Sequence, residues 1–155
     1  TTGMLTLMQH PQQLERLAAE PSLIRTAVEE MLRFHGPVEN TLSRWSGEDT
    51  TFKGHVIKRG DVVLASLMSA NRDADVFANA DTFDITRDPN RHIAFGGGIH
   101  YCLGAPLARL EGAVAINALL RRLPGIKLAV PPESLVWNDQ ITLRGLQALP
   151  VIGGS

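Results

Sequence analysis

The chain has 155 residues, 44% hydrophobic and 20% charged, and fifteen Lys and Arg against 16 Asp and Glu leave a formal charge of −1. That is enough chain for one globular domain with a core, and the near-neutral balance argues against a nucleic-acid or anionic-membrane surface, either of which needs a basic excess. One cysteine, Cys102, excludes an internal disulfide framework and any multi-cysteine metal site from this chain alone, and no apolar run approaches the ~20 residues of a membrane span.

Thr1-Thr2-Gly3 carries neither a basic n-region nor a secretory apolar run, so the expected location is cytoplasmic. Gly3 to His10 reads as the tail of a helix, and Pro11 opens a second, Pro11–Ala19, with Leu14 and Leu17 on one side and Pro21 ending it. Ser22 is the expected N-cap of a helix from Leu23 to Phe34. Its residues Leu23, Ile24, Ala27, Val28, Met31 and Leu32 recur at helical period, and Gly36-Pro37 stops it. From Thr41 to Leu67 short β-rich runs take over. Phe52 to Ile57 and Val62 to Leu67 flank Lys58-Arg59-Gly60-Asp61, read as a hairpin turn.

Asn71 to Ile99 is dense in Asp, Asn, Arg, Gly and Pro, with a short helical possibility near Asp73–Phe77. A stretch of that length with little regular structure is usually functional or disordered; Phe77, Phe83, Ile85, Ile93 and Phe95 supply apolar anchors, so order is expected. Gly104 to Leu123 is the clearest helix. Pro106 suits its first turn, Leu103, Leu107, Leu110, Val114 and Leu120 mark its apolar stripe, and Pro124-Gly125 ends it. Ile126–Val130 and Leu146–Ile152 read as two strands around a polar loop. The layout is α+β, mainly helical.

The chemistry concentrates in Phe95-Gly96-Gly97-Gly98-Ile99-His100-Tyr101-Cys102-Leu103-Gly104. Consecutive glycines let backbone pass close to something bulky and take positive φ. Cys102 falls at the mouth of a long helix, where unpaired N–H groups and the helix dipole favour thiolate over thiol. A thiolate so held suits binding a metal in a large flat cofactor. Three other readings stay open on the residues alone. A phosphate cradle lacks G-K-[ST], and Tyr101 breaks G-x-G-x-x-G at its last glycine. A nucleophilic cysteine could draw on His10, His35, His55, His92 or His100. The plainest alternative is a buried inert cysteine.

Phe95-x-x-Gly98-x-His100-x-Cys102-x-Gly104 resembles the haem-binding loop of the cytochrome P450 family, and Glu30-Met31-Leu32-Arg33 resembles its E-x-x-R motif, 72 residues earlier (Cys102 minus Glu30). Ala70-Asn71-Arg72-Asp73 and the run Phe83 to His92 are similar to the bacterial soluble branch, so the resemblance covers essentially the whole chain. It implies the C-terminal part of that fold: the end of the central helix, the E-x-x-R helix, a small β-sheet, the meander, the cysteine-ligand loop, the long C-terminal helix and a β-hairpin.

The resemblance also implies haem b, with Cys102 as axial thiolate and Phe95 packed beside the sulfur. Gly96, Gly98 and Gly104 would ease the approach of backbone to porphyrin. His100 and Arg44 would pair with haem propionates. Glu30 and Arg33, about 60° apart on a helix, can interact; the family makes them a buried structural pair completed by a third basic residue. Thr82 stands where that residue is often Arg, so His92 is the expected third member, with Arg91 in reserve.

Only seven residues separate Thr2 from His10, so residues 1–155 are expected to be a single truncated haem-binding domain starting inside the central helix, past the family's proton-delivery pair. The implied function is oxidation of a small hydrophobic substrate by a bacterial monooxygenase fed by a redoxin-type electron donor. The missing N-terminal half or a second copy would complete the fold. A non-catalytic haem-binding module or relic, and a cysteine hydrolase without haem, are the alternatives.

Overall fold

The computed structural model describes residues 1–153. Helices α1 (Thr2–Gln9), α2 (Pro11–Ala19) and α3 (Ile24–His35) follow one another closely. Pro11 sits in the first turn of α2, where its missing N–H costs nothing. Ser22 does not cap α3. The chain turns through a 3-10 segment, Pro21–Leu23, and α3 starts at Ile24 without a side-chain cap. Proline favours that tight entry, and burial of Ile24, Ala27, Val28 and Met31 fixes the helix instead.

The β region nests two pairs. The outer pair is β1 (Arg44–Trp45) against β4 (Val62–Val63), and the inner is β2 (Thr50–Phe52) against β3 (His55–Ile57), both antiparallel. The hairpin turn is therefore Lys53-Gly54, within a run expected to be one strand. Both residues have positive φ, 49° and 83°, the backbone that matches the right-handed twist of a two-residue hairpin. Lys58–Asp61 does turn the chain, with Lys58 N–H donating to Asp61 Oδ2 at 2.7 Å, but it delivers β4 back to β1.

A short helix, α4 (Leu67–Ala70), follows, its N-terminus capped by Ser66 Oγ accepting from Ser69 N–H. Residues 71–97 hold turns and no helix or strand, and near Asp73–Phe77 a single turn closes with Phe77 N–H on Asp73 O. After a 3-10 turn at Gly98–His100, α5 (Ala105–Arg122) runs eighteen residues, and β5 (Lys127–Leu128) pairs antiparallel with β6 (Val151–Ile152).

The main core lies among α1, α2, α3 and α5, joined by Phe83 and Ile85 from the irregular stretch. Leu7, Leu17 and Ala27 are fully buried there. The expected α5 stripe is helical but turned outward: Leu103, Leu107, Leu110 and Val114 are exposed. The helix meets the core through Ile116, Ala113 and Leu120. At Gly112 an added Cβ would lie 3.5 Å from Val28. Small residues let α5 approach α3 closely, and that contact, rather than the larger leucines, decides its orientation.

Candidate functional site

Adjacent carboxylates on α3 organise two different stretches of chain. Glu30 and Arg33 are fully buried, and their side chains meet in a bidentate pair: Arg33 Nε donates to Glu30 Oε2 and Nη2 to Oε1, each at 2.7 Å. Arg33 places its remaining donors on the carbonyls of Asn71 (3.0 Å), Ala80 (2.8 Å) and Thr82 (3.0 Å). Every one of its N–H groups then has an acceptor, the condition under which a buried guanidinium is tolerated. Glu30 also accepts from Asp84 N–H at 2.9 Å, Asn90 Nδ2 at 3.0 Å and Arg87 Nε.

Arg87 is thus the third basic member of this cluster, placed 3.2 Å from Glu30 Oε2. His92 is not. Its Nδ1 accepts from Ala94 N–H, leaving Nε2 to donate to Glu29 at 2.9 Å. Arg91 is exposed. A one-residue step along α3 sends the two carboxylates to different partners, so spacing alone could not separate Arg87 from His92. The signal for Arg87 was its place five residues beyond Thr82, on the same turn-rich stretch, where a long side chain can reach back.

Glu29 organises the cysteine loop. Arg109 of α5 grips it with Nε at 2.6 Å and Nη2 at 2.9 Å, while Arg109 Nη1 donates to Tyr101 Oη at 2.8 Å. The guanidinium also lies 4.7 Å from the centre of the Phe95 ring. Burial pushes the Glu29 carboxyl up, but the hydrogen bonds from His92 and Arg109, with the Arg109 charge, outweigh it and hold the pKa at about 2. Arg109 is raised in turn, chiefly by its hydrogen bond to Glu29. Neither Glu29 nor Arg109 stands out in the sequence; Arg109, seven residues past Cys102, lies about one turn into α5.

The loop itself folds on local bonds: Gly96 N–H to Ile93 O, Tyr101 N–H to Gly98 O and Cys102 N–H to Phe95 O. Gly96 and Gly98 require their glycines, with φ of 73° and 60°, whereas Gly104 has the ordinary φ of −80°. A Cβ built at Gly104 would lie 3.8 Å from Cys102 Sγ, and one at Gly97 or Gly98 would meet nothing within 4 Å. Phe95 packs against Tyr101 and His92 by its ring. Cys102 is exposed, flanked by Ile99 at 96% and Leu103 at 100% exposure.

An inert buried cysteine is therefore set aside. An accessible sulfur, exposed apolar neighbours and open Cβ positions on the glycines fit a flat apolar macrocycle such as haem. His100 is exposed at the end of the 3-10 turn, and Arg44 is exposed on β1. An apolar groove of about 720 Å³, lined by Leu14, Leu17, Leu120 and Leu123, lies at the far end of α5, roughly 25 Å of helix away. It is separate from the cysteine site.

A family profile described as Cytochrome P450 matches residues 6–143. The chain is 53% identical over 150 residues to the polyketide biosynthesis cytochrome P450 PksS of Bacillus subtilis (strain 168), covering 97% of this chain and 37% of that protein. It is 49% identical over 149 residues to the cytochrome P450 monooxygenase PikC of Streptomyces venezuelae, over 96% of this chain and 36% of that one. Its fold superimposes on the solved PksS structure with a TM-score of 0.96 at 52% identity, covering 99% of this chain and 40% of the other. The chain spans little more than a third of the length of these curated relatives.

Proposed function

The chain belongs to the cytochrome P450 family, and from that premise we propose that it is the haem-ligating portion of a bacterial haem-thiolate monooxygenase, with Cys102 as the axial ligand. The observation that carries the reading is the exposed Cys102 sulfur at the entrance to α5, in a loop whose Gly96 and Gly98 adopt positive φ. A bound haem b supplies dioxygen activation, which the electron donation of a thiolate ligand favours.

The chain's own residues prepare that site. Cys102 presents its sulfur three residues before α5. Phe95 walls one side of the loop, Gly104 keeps a side chain from the sulfur, and Gly96 and Gly98 supply the positive-φ turns. His100 and Arg44, both exposed, are the partners for the propionates. Glu30, Arg33 and Arg87 brace the irregular stretch and take no part in the chemistry. The substrate is small and hydrophobic and the electrons come from a redoxin-type donor. Both belong to the complete family fold, of which the matched length in PksS is 37%.

The test is spectroscopic. The chain reconstituted with haem, reduced and exposed to carbon monoxide, is expected to show the red-shifted Soret band of thiolate ligation, and Cys102→Ala to abolish it. Absence of Soret absorbance after reconstitution overturns the reading. A non-catalytic haem-binding module would give the same band without product when a redoxin system and the rest of the fold are supplied.

A further inference from the structure

We propose that Glu29 and Arg109 form a positioning clamp for the cysteine loop, Glu29 holding its entry through His92 and its exit through Arg109 and Tyr101. The local hydrogen bonds at Gly96, Tyr101 and Cys102 close the loop on itself, but they do not fix it against the helices. A glycine-rich loop has much conformational freedom to lose, so something outside it must set its orientation. The Glu30–Arg33 pair reaches it only at one remove, through Asn71, whose carbonyl takes Arg33 and whose Oδ1 accepts from Ile93 N–H at 2.8 Å; its other bonds end on residues 80–90.

Glu29 meets that need from α3. One oxygen takes the short bond from Arg109 Nε, and the other takes Arg109 Nη2 and His92 Nε2. The outer nitrogen of the same guanidinium reaches Tyr101, immediately before Cys102, and its face covers Phe95. Arginine is suited to this because its planar fork makes two parallel bonds to a carboxylate and still has a donor to spare, while its face stacks on an aromatic ring. A lysine would keep the charge and lose the fork. The loop is held from both ends by one carboxylate, and Cys102 lies beside the exit anchor. Its bearing on haem rests on the thiolate reading above; the clamp on the loop does not.

Amide hydrogen exchange on the full chain without haem tests the clamp directly. Arg109→Leu and Glu29→Gln are expected to speed exchange at Gly96, Tyr101 and Cys102 about five- to tenfold, with the core amides of α3 unchanged. Arg109→Lys should fall between, and at Tyr101 and Cys102, the exit the two residues hold together, the double variant should exchange no faster than Arg109→Leu alone. In the haem-loaded chain the same variants are expected to move carbon monoxide absorbance from the thiolate band to that of non-thiolate haem. Should Arg109→Leu not fold, Arg109→Lys and Tyr101→Phe carry the measurement. Unchanged loop exchange, or acceleration shared equally by α3, overturns the clamp. If the unsubstituted chain shows no thiolate band while loop exchange responds, the haem reading fails and the clamp stands. A normal band in every variant, with exchange unaltered, sinks the clamp and spares the reading.

Discussion

The irregular stretch 71–93 and the cysteine loop 95–104 both lack helix and strand, yet different physics orders them. The first hangs on an ion pair removed from water, with Phe77, Phe83 and Ile85 buried beneath it. The second is tied by a half-buried pair and turns Ile99, Leu103 and its thiol outward. A segment whose polar groups are all answered and whose apolar anchors point inward is a strut. One that keeps its sulfur and apolar side chains outward, on backbone that favours glycine, is a surface shaped for contact.

Breaking the strut has the largest expected effect. Arg33→Leu leaves Glu30 buried without its main partner and frees three backbone carbonyls, at a cost of about 3–5 kcal/mol. Urea unfolding would show it, with loss of protection across 71–93. A loss below about 1 kcal/mol would mean the ion pair does not order that stretch.

A smaller effect comes from another ionisable group on the same helix, one that burial leaves poorly compensated. His35 meets Thr6 Oγ1 at 3.3 Å and stacks near Trp137. Desolvation lowers its pKa from 6.5, helped by the charges of Arg144 and Arg72 against the opposing pull of Glu39. Between that depressed folded value and 6.5 the unfolded chain binds more protons, so stability is full above pH 6.5 and falls as the pH drops through the folded value. His35→Gln should flatten this part of the pH profile. An unchanged slope would assign the acid sensitivity elsewhere.

The smallest effect is expected on the outward side of α5. Leu110→Gln should alter unfolding stability by no more than about 0.5 kcal/mol, because the side chain has little contact to lose. A large loss would show that this face is covered in solution and would erase the contrast with the buried stretch.

Local pattern was enough for much of this molecule. The four longer helices, the ordered irregular stretch and the cysteine loop follow from spacing, proline and glycine placement, and apolar period, all properties of residues close together in the chain, whereas α4 lies where a strand is expected to end and the burial of Glu30 and Arg33 is implied by the resemblance. The motifs that carry the family resemblance are local in the same way. Tertiary structure decided what depends on residues far apart. The hairpin moved to Lys53-Gly54 because strand pairing selects the turn with positive φ at both positions. The leucines of α5 face outward because Gly112 and Ala113 permit the closer approach to α3. Arg87 rather than His92 reaches Glu30, and His92 and Arg109 reach Glu29, because carboxylates adjacent on a helix point about 100° apart and each takes whichever donor the packed chain brings to its side.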